Sequence, residues 1–62
     1  MIIHKDRPEG NAFYIMVAVH RLLKEVGRES EWPEIQKRMT SGDYANLCCV
    51  AKEVTFGSIE VV

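Results

Sequence analysis

Two blocks of this chain carry the residue types that begin helices, Gly10-Asn11-Ala12-Phe13 and Thr40-Ser41-Gly42-Asp43-Tyr44, and each launches an apolar-striped segment about a dozen residues long. An Asn or Asp just ahead of such a segment accepts a hydrogen bond from a free N–H of the first turn. The first segment predicts a helix over 12–26, with Ala12, Ile15, Met16, Val19, Leu22, Leu23 and Val26 at i, i+3, i+4, i+7 spacing on one core-facing stripe. Gly27 stands where a left-handed residue ends a helix.

The same reasoning predicts helices over 31–39 and 43–54. In the second, Ser30 is the expected cap, Pro33 sits in a first turn that needs no N–H from it, and Trp32, Ile35 and Met39 face inward. Tyr44, Leu47, Cys48, Ala51 and Val54 form the stripe of the third. The ends read differently. Residues 1–5 are a short β-branched arm cut off by Asp6-Arg7-Pro8-Glu9-Gly10, and the tail 56–62 alternates, with Ile59 and Val61 on one face. A lone two-stranded ribbon is marginal in water, so the ends should pair with each other, pair with a second copy, or rest on the helices. The expected fold is mainly α: one three-helix domain over 1–62 with short extended or β segments at both ends.

With 47% apolar and 27% charged residues the chain has globular composition, but 62 residues make a small core, worth roughly 3 to 5 kcal/mol. Domains of this size usually need a staple. The only cysteines, Cys48 and Cys49, are adjacent and project about 100° apart on a helix, so they form no bridge within the chain. A partner subunit is the remaining staple. Phe13 and Val17, with Ala45 and Cys49, form secondary apolar stripes that a homodimer would cover. Two free thiols and no apolar run near 18 residues fit a reducing cytoplasm and no membrane partner.

Net charge is −1, with no basic cluster longer than Lys37-Arg38, so nucleic acid is not an expected partner. His4 and His20 lie far apart in the chain and gain no metal-ligand spacing from the adjacent cysteines, so no metal or cofactor is expected. His20 reads as an ordinary surface histidine, and Trp32 as core or lid. No Ser or Cys has a positioned base, and the pairs Glu25 with Glu29 and Glu31 with Glu34 read as solvated. No enzyme is expected.

The helix starts are the remaining sites. Unpaired N–H groups, the partial positive charge of a helix N-terminus and small glycines suit close approach of an anion or nucleotide. The candidate ligand-binding residues are Gly10, Asn11, Phe13, Tyr14, Ser41, Gly42, Asp43 and Tyr44. The three aromatic rings would stack on a base and Asn11 and Asp43 would bind hydroxyls, since Asp43 repels phosphate. Plain capping is the competing role, and the commoner one for either start taken singly.

These blocks, together with Val19-His20-Arg21-Leu22-Leu23-Lys24-Glu25-Val26-Gly27, resemble a group of very short phage and prophage proteins over residues 10 to about 52. The resemblance implies a binder that blocks host machinery or bacterial defence in the cytoplasm of an infected or lysogenic bacterium. The expected activity is sequestration of a small nucleotide-derived ligand, such as a bacterial immune signal, with the pocket lying across a subunit boundary. The alternative is an inhibitor that docks on a host or defence protein, as anti-CRISPR-like inhibitors do.

Overall fold

Helix formation follows the caps. In the computed structural model, which describes residues 1–62, the Asn11 side chain accepts from the Phe13 amide at 2.7 Å and opens helix α1, Ala12–Glu25. The helix closes at Val26 and Gly27. Gly27 has φ +77°, its amide donates to Lys24 O at 3.3 Å, and the Arg28 amide reaches back to Leu23 O at 2.7 Å. This doubly bonded ending satisfies two carbonyls the helix leaves free. Helix α3, Tyr44–Val54, opens on Asp43, whose carboxylate accepts from the Asn46 amide at 2.9 Å. Its end repeats the pattern with Phe56, φ 54°, in the left-handed position where glycine costs less. The Arg28 guanidinium lies 5.1 Å from the centre of the Phe56 ring.

Helix α2, Trp32–Thr40, corrects the sequence reading. Ser30 does not cap it. Residues Glu29–Glu31 form a 3-10 turn that runs directly into the helix, so the first amides are bonded by the turn and not by a hydroxyl. Arg28 holds this turn with two bonds to Glu31, 2.9 and 2.8 Å, and donates a third to Val54 O at 2.9 Å. One side chain thereby joins the end of α1, the start of α2 and the end of α3. Hydrogen bonding to Arg28 holds the Glu31 carboxyl below its ordinary range.

The two chain ends pair with each other. Strand β1, Ile2–Ile3, runs parallel to β2, Glu60–Val61, with Ile2 opposite Glu60 and Ile3 opposite Val61. Glu60 N to Met1 O at 2.9 Å, Val62 N to Ile3 O at 2.8 Å and Lys5 N to Val62 O at 2.8 Å form the ladder. Parallel strands require a long crossover, and here the three helices are that crossover. Ile3 and Ile59 are buried in the same core as Ile15, Val19 and Leu23 of α1, Ile35 and Met39 of α2, and Leu47, Val50, Ala51 and Val54 of α3. Ala12, Met16, Leu22, Trp32, Cys48 and Val61 pack on its edge.

Two positions depart from the expected α1 stripe. Ala18 is buried, because the strand pair covers more of the helix than one stripe, whereas Val26, the residue after the last helical one, is 56% exposed as the chain turns away. Tyr44, expected on the inner stripe of α3, lies at the edge of the core, 38% exposed. The radius of gyration, 10.5 Å, matches the roughly 10.6 Å of a compact chain this long, so one copy reaches ordinary compactness alone.

Thr55 is the one buried polar side chain. Its hydroxyl donates to Ala51 O at 2.6 Å and accepts from the Ile59 amide at 3.1 Å, pinning the tail to α3. Thr55→Val keeps the shape and leaves that buried amide unpaired. Urea denaturation should show a loss of about 1 to 3 kcal/mol, with Thr55→Ser retaining most of the stability.

Candidate functional site

The structure brings the two predicted helix starts together. The Tyr44 hydroxyl donates to the Gly10 carbonyl, linking residues 34 positions apart. The polar groups there are nevertheless occupied by the fold. Asn11 and Asp43 accept from their own helices, the Ser41 hydroxyl donates to Arg38 O at 2.8 Å, and the Asn46 amide also donates to Arg38 O, at 2.9 Å. Gly10 is small for an internal reason: a Cβ there would stand 2.5 Å from Lys5 Cα and O. At Gly42 a Cβ would meet the Asn46 side chain at 3.0 Å. The space next to both glycines holds chain rather than ligand. Of the eight candidate residues, Gly10, Asn11, Ser41, Gly42, Asp43 and Tyr44 are thus engaged in holding the two starts in place, while Phe13 and Tyr14 stand outside, 74% and 47% exposed.

Tyr14 leads to a different location. It lines an open recess of about 320 Å³ on the outer side of α1, together with Met1, Val17, Ala18, Arg21, Leu22, Glu25, Ser58 and Ile59. The floor is apolar because the tail segment carrying Ser58 and Ile59 lies alongside a helix whose second face is Tyr14, Val17 and Ala18. Such a volume falls at the lower end of small-molecule sites. A second, shallower recess of about 200 Å³ adjoins it, lined by Val17, His20, Arg21, Lys24 and Glu29, and the two share Val17 and Arg21. Spacing along α1 explains the order. Tyr14, Val17, Arg21 and Lys24 climb one side of the helix at three- and four-residue steps, apolar first and basic after.

His20 is more constrained than its sequence position suggests. Its ring stacks on Trp32 with centroids 4.5 Å apart and planes 2° from parallel, and Nε2 lies 3.3 Å from the Glu29 carboxylate. Arg21 and Lys24 are in none of the chain's ion pairs, which join His20 to Glu29, Arg28 to Glu31, Arg38 to Glu53 and Lys52 to Glu60. The excess apolar face of α1 was visible in the sequence, but its conversion into a recess was not, since the opposite wall comes from residues 58 and 59.

No group of three or more His, Cys, Asp or Glu side chains is placed to hold a metal ion, and no helix is long and apolar enough to cross a membrane. Burial pushes the Cys48 thiol above its ordinary value, an effect that the Tyr44 hydroxyl and Lys5 nearby only partly offset. Burial likewise raises the Tyr44 hydroxyl. A thiol held protonated is a poor nucleophile. Compared with protein-family models, curated proteins and solved structures, the chain matches none.

Both raised groups keep their protons in the folded state at a pH where the unfolded chain has lost them, so they stabilise the fold at neutral pH and that contribution fades as pH rises through their folded values. The urea midpoint should therefore fall above about pH 8.5, less steeply in Cys48→Ala than in the parent. A thiol reagent should label exposed Cys49 first and Cys48 at the same rate only after unfolding. Equal native rates would contradict this assignment.

Proposed function

We propose that the protein is a non-enzymatic binder that captures a small nucleotide-derived ligand in the paired recesses on the outer side of α1. The observation that carries this reading is the join between them at Val17 and Arg21, which sets an apolar, tyrosine-lined cleft against a basic one. A nucleotide has the matching division. Its base would stack on Tyr14 over Val17, Leu22 and Ile59, its ribose hydroxyls meet Glu25, and its phosphate face Arg21 and Lys24. Holding a ligand this way needs no nucleophile and no metal, and it agrees with the sequestering role implied by the phage-protein resemblance.

This reading moves the expected site. Asp43 and Asn11 act as caps, and Tyr14 is the candidate residue that retains a direct role. The expected dimer belongs to the same proposal. A single copy leaves Phe13, Val17, Ala45 and Cys49 exposed, and because Val17 also lines both recesses, a second copy covering this face would place them at the subunit boundary.

Isothermal calorimetry against cyclic nucleotides and ADP-ribose derivatives tests the reading. A binding nucleotide should lose about tenfold or more in affinity on Tyr14→Ala, the scale of one lost base–aromatic stack, and similarly on Arg21→Ala. Asn11→Ala and Asp43→Ala should cost about 1 kcal/mol of stability each and leave affinity unchanged. Absence of binding across the panel would overturn the proposal. A failed panel accompanied by one stably co-purifying host protein would favour the inhibitor reading.

A further inference from the structure

We infer that the basic recess is an anion subsite bordered by the chain's own Glu29, whose charge opposes the ligand's phosphate. The assignment of the anion to a phosphate rests on the proposed function, whereas the existence of the subsite does not. His20, Arg21 and Lys24 bring three nitrogen-bearing side chains to one recess of about 200 Å³. They come from consecutive turns of α1, and His20 is fixed there by its stack on Trp32. The anion facing them is Glu29, carried on the 3-10 turn that leads into α2, with its carboxylate 3.3 Å from His20 Nε2. Glu25, the other acid of this part of the chain, lines the neighbouring apolar recess instead.

This placement has a chemical consequence. The Glu29 carboxylate lines the recess, paired with His20 and with neither Arg21 nor Lys24, and its charge repels an incoming oxyanion while it stays. The side chain is about half exposed and lies on a short turn, so it can swing into solvent without disturbing the core. Nothing else of the turn depends on it, because the turn is held through Glu31 and Arg28. The ligand class this favours carries more than one negative charge, such as a pyrophosphate or a nucleotide with two phosphates, since Arg21 and Lys24 are both outside the chain's ion pairs and can each meet one charge.

Glu29→Gln keeps the size of the side chain and its capacity to hydrogen-bond His20 while removing the charge. Binding of inorganic pyrophosphate and of the nucleotide bound most tightly by the parent would be followed by calorimetry and by amide shifts of residues 20–24. Both should bind about fivefold more tightly to Glu29→Gln, the effect of one charge near 4 Å in water. Glu25→Gln, which removes an equal charge beside the other recess, should give a smaller gain, and adding Lys24→Ala to Glu29→Gln should abolish the gain. Equal effects of Glu29→Gln and Glu25→Gln, or no gain for pyrophosphate, would overturn the inference even where nucleotide binding to the parent stands. Tighter pyrophosphate binding in Glu29→Gln, with no nucleotide bound by any variant, would uphold the subsite and defeat the proposed function.

Discussion

The parallel pairing of β1 with β2 is the constraint on which the other features depend. Three backbone hydrogen bonds between the chain ends are a small gain by themselves, because each is worth only about 1 kcal/mol net. Their effect lies in what they deliver. Pairing Ile3 beside the tail places Ile3 and Ile59 against α1, completing a core that three short helices would leave open on one side. It also turns the helices into a closed crossover, so that α1 and α3 are packed together and Tyr44 can reach Gly10.

Several side chains then act as clasps at the corners of this arrangement. Arg28 joins three helix ends, Thr55 ties the tail to α3, and the Tyr44 hydroxyl joins the two helix starts. Each satisfies groups that would otherwise be left without partners at a helix end or under a turn. Phe56 sits in a left-handed conformation that a non-glycine residue occupies at some cost, and the cation of Arg28 over its ring offsets part of it. A small core is in this way supplemented by directional bonds at its edges.

The proposed function rests on the same geometry. The helix starts looked like ligand sites because they combine free amides, glycines and aromatics, yet the fold engages several of these groups: Asn11 and Asp43 each accept from an amide of their own helix, and Gly10 lies against the Lys5 backbone. The surface proposed for binding is the second face of α1. There the tail supplies one wall, Tyr14 a ring, and Arg21 and Lys24 positive charge. Charge along that face changes from neutral to basic within two turns, which would give the proposed ligand a preferred direction.

The sequence by itself determined the three helices and most of their ends. A 3.6-residue period in the apolar residues, Asn11 and Asp43 as caps and Gly27 as a stop are local signals, and local hydrogen bonding reads them the same way in any surroundings. It also showed that α1 is apolar on two faces. Only the tertiary structure decided which face the tail would cover, that the ends pair within one chain and in parallel, that a 3-10 turn would replace the Ser30 cap, and that His20 would stack on Trp32. The reason is separation along the chain. Ile59 meets α1 across some forty residues, and no periodicity within either segment encodes the position of the other.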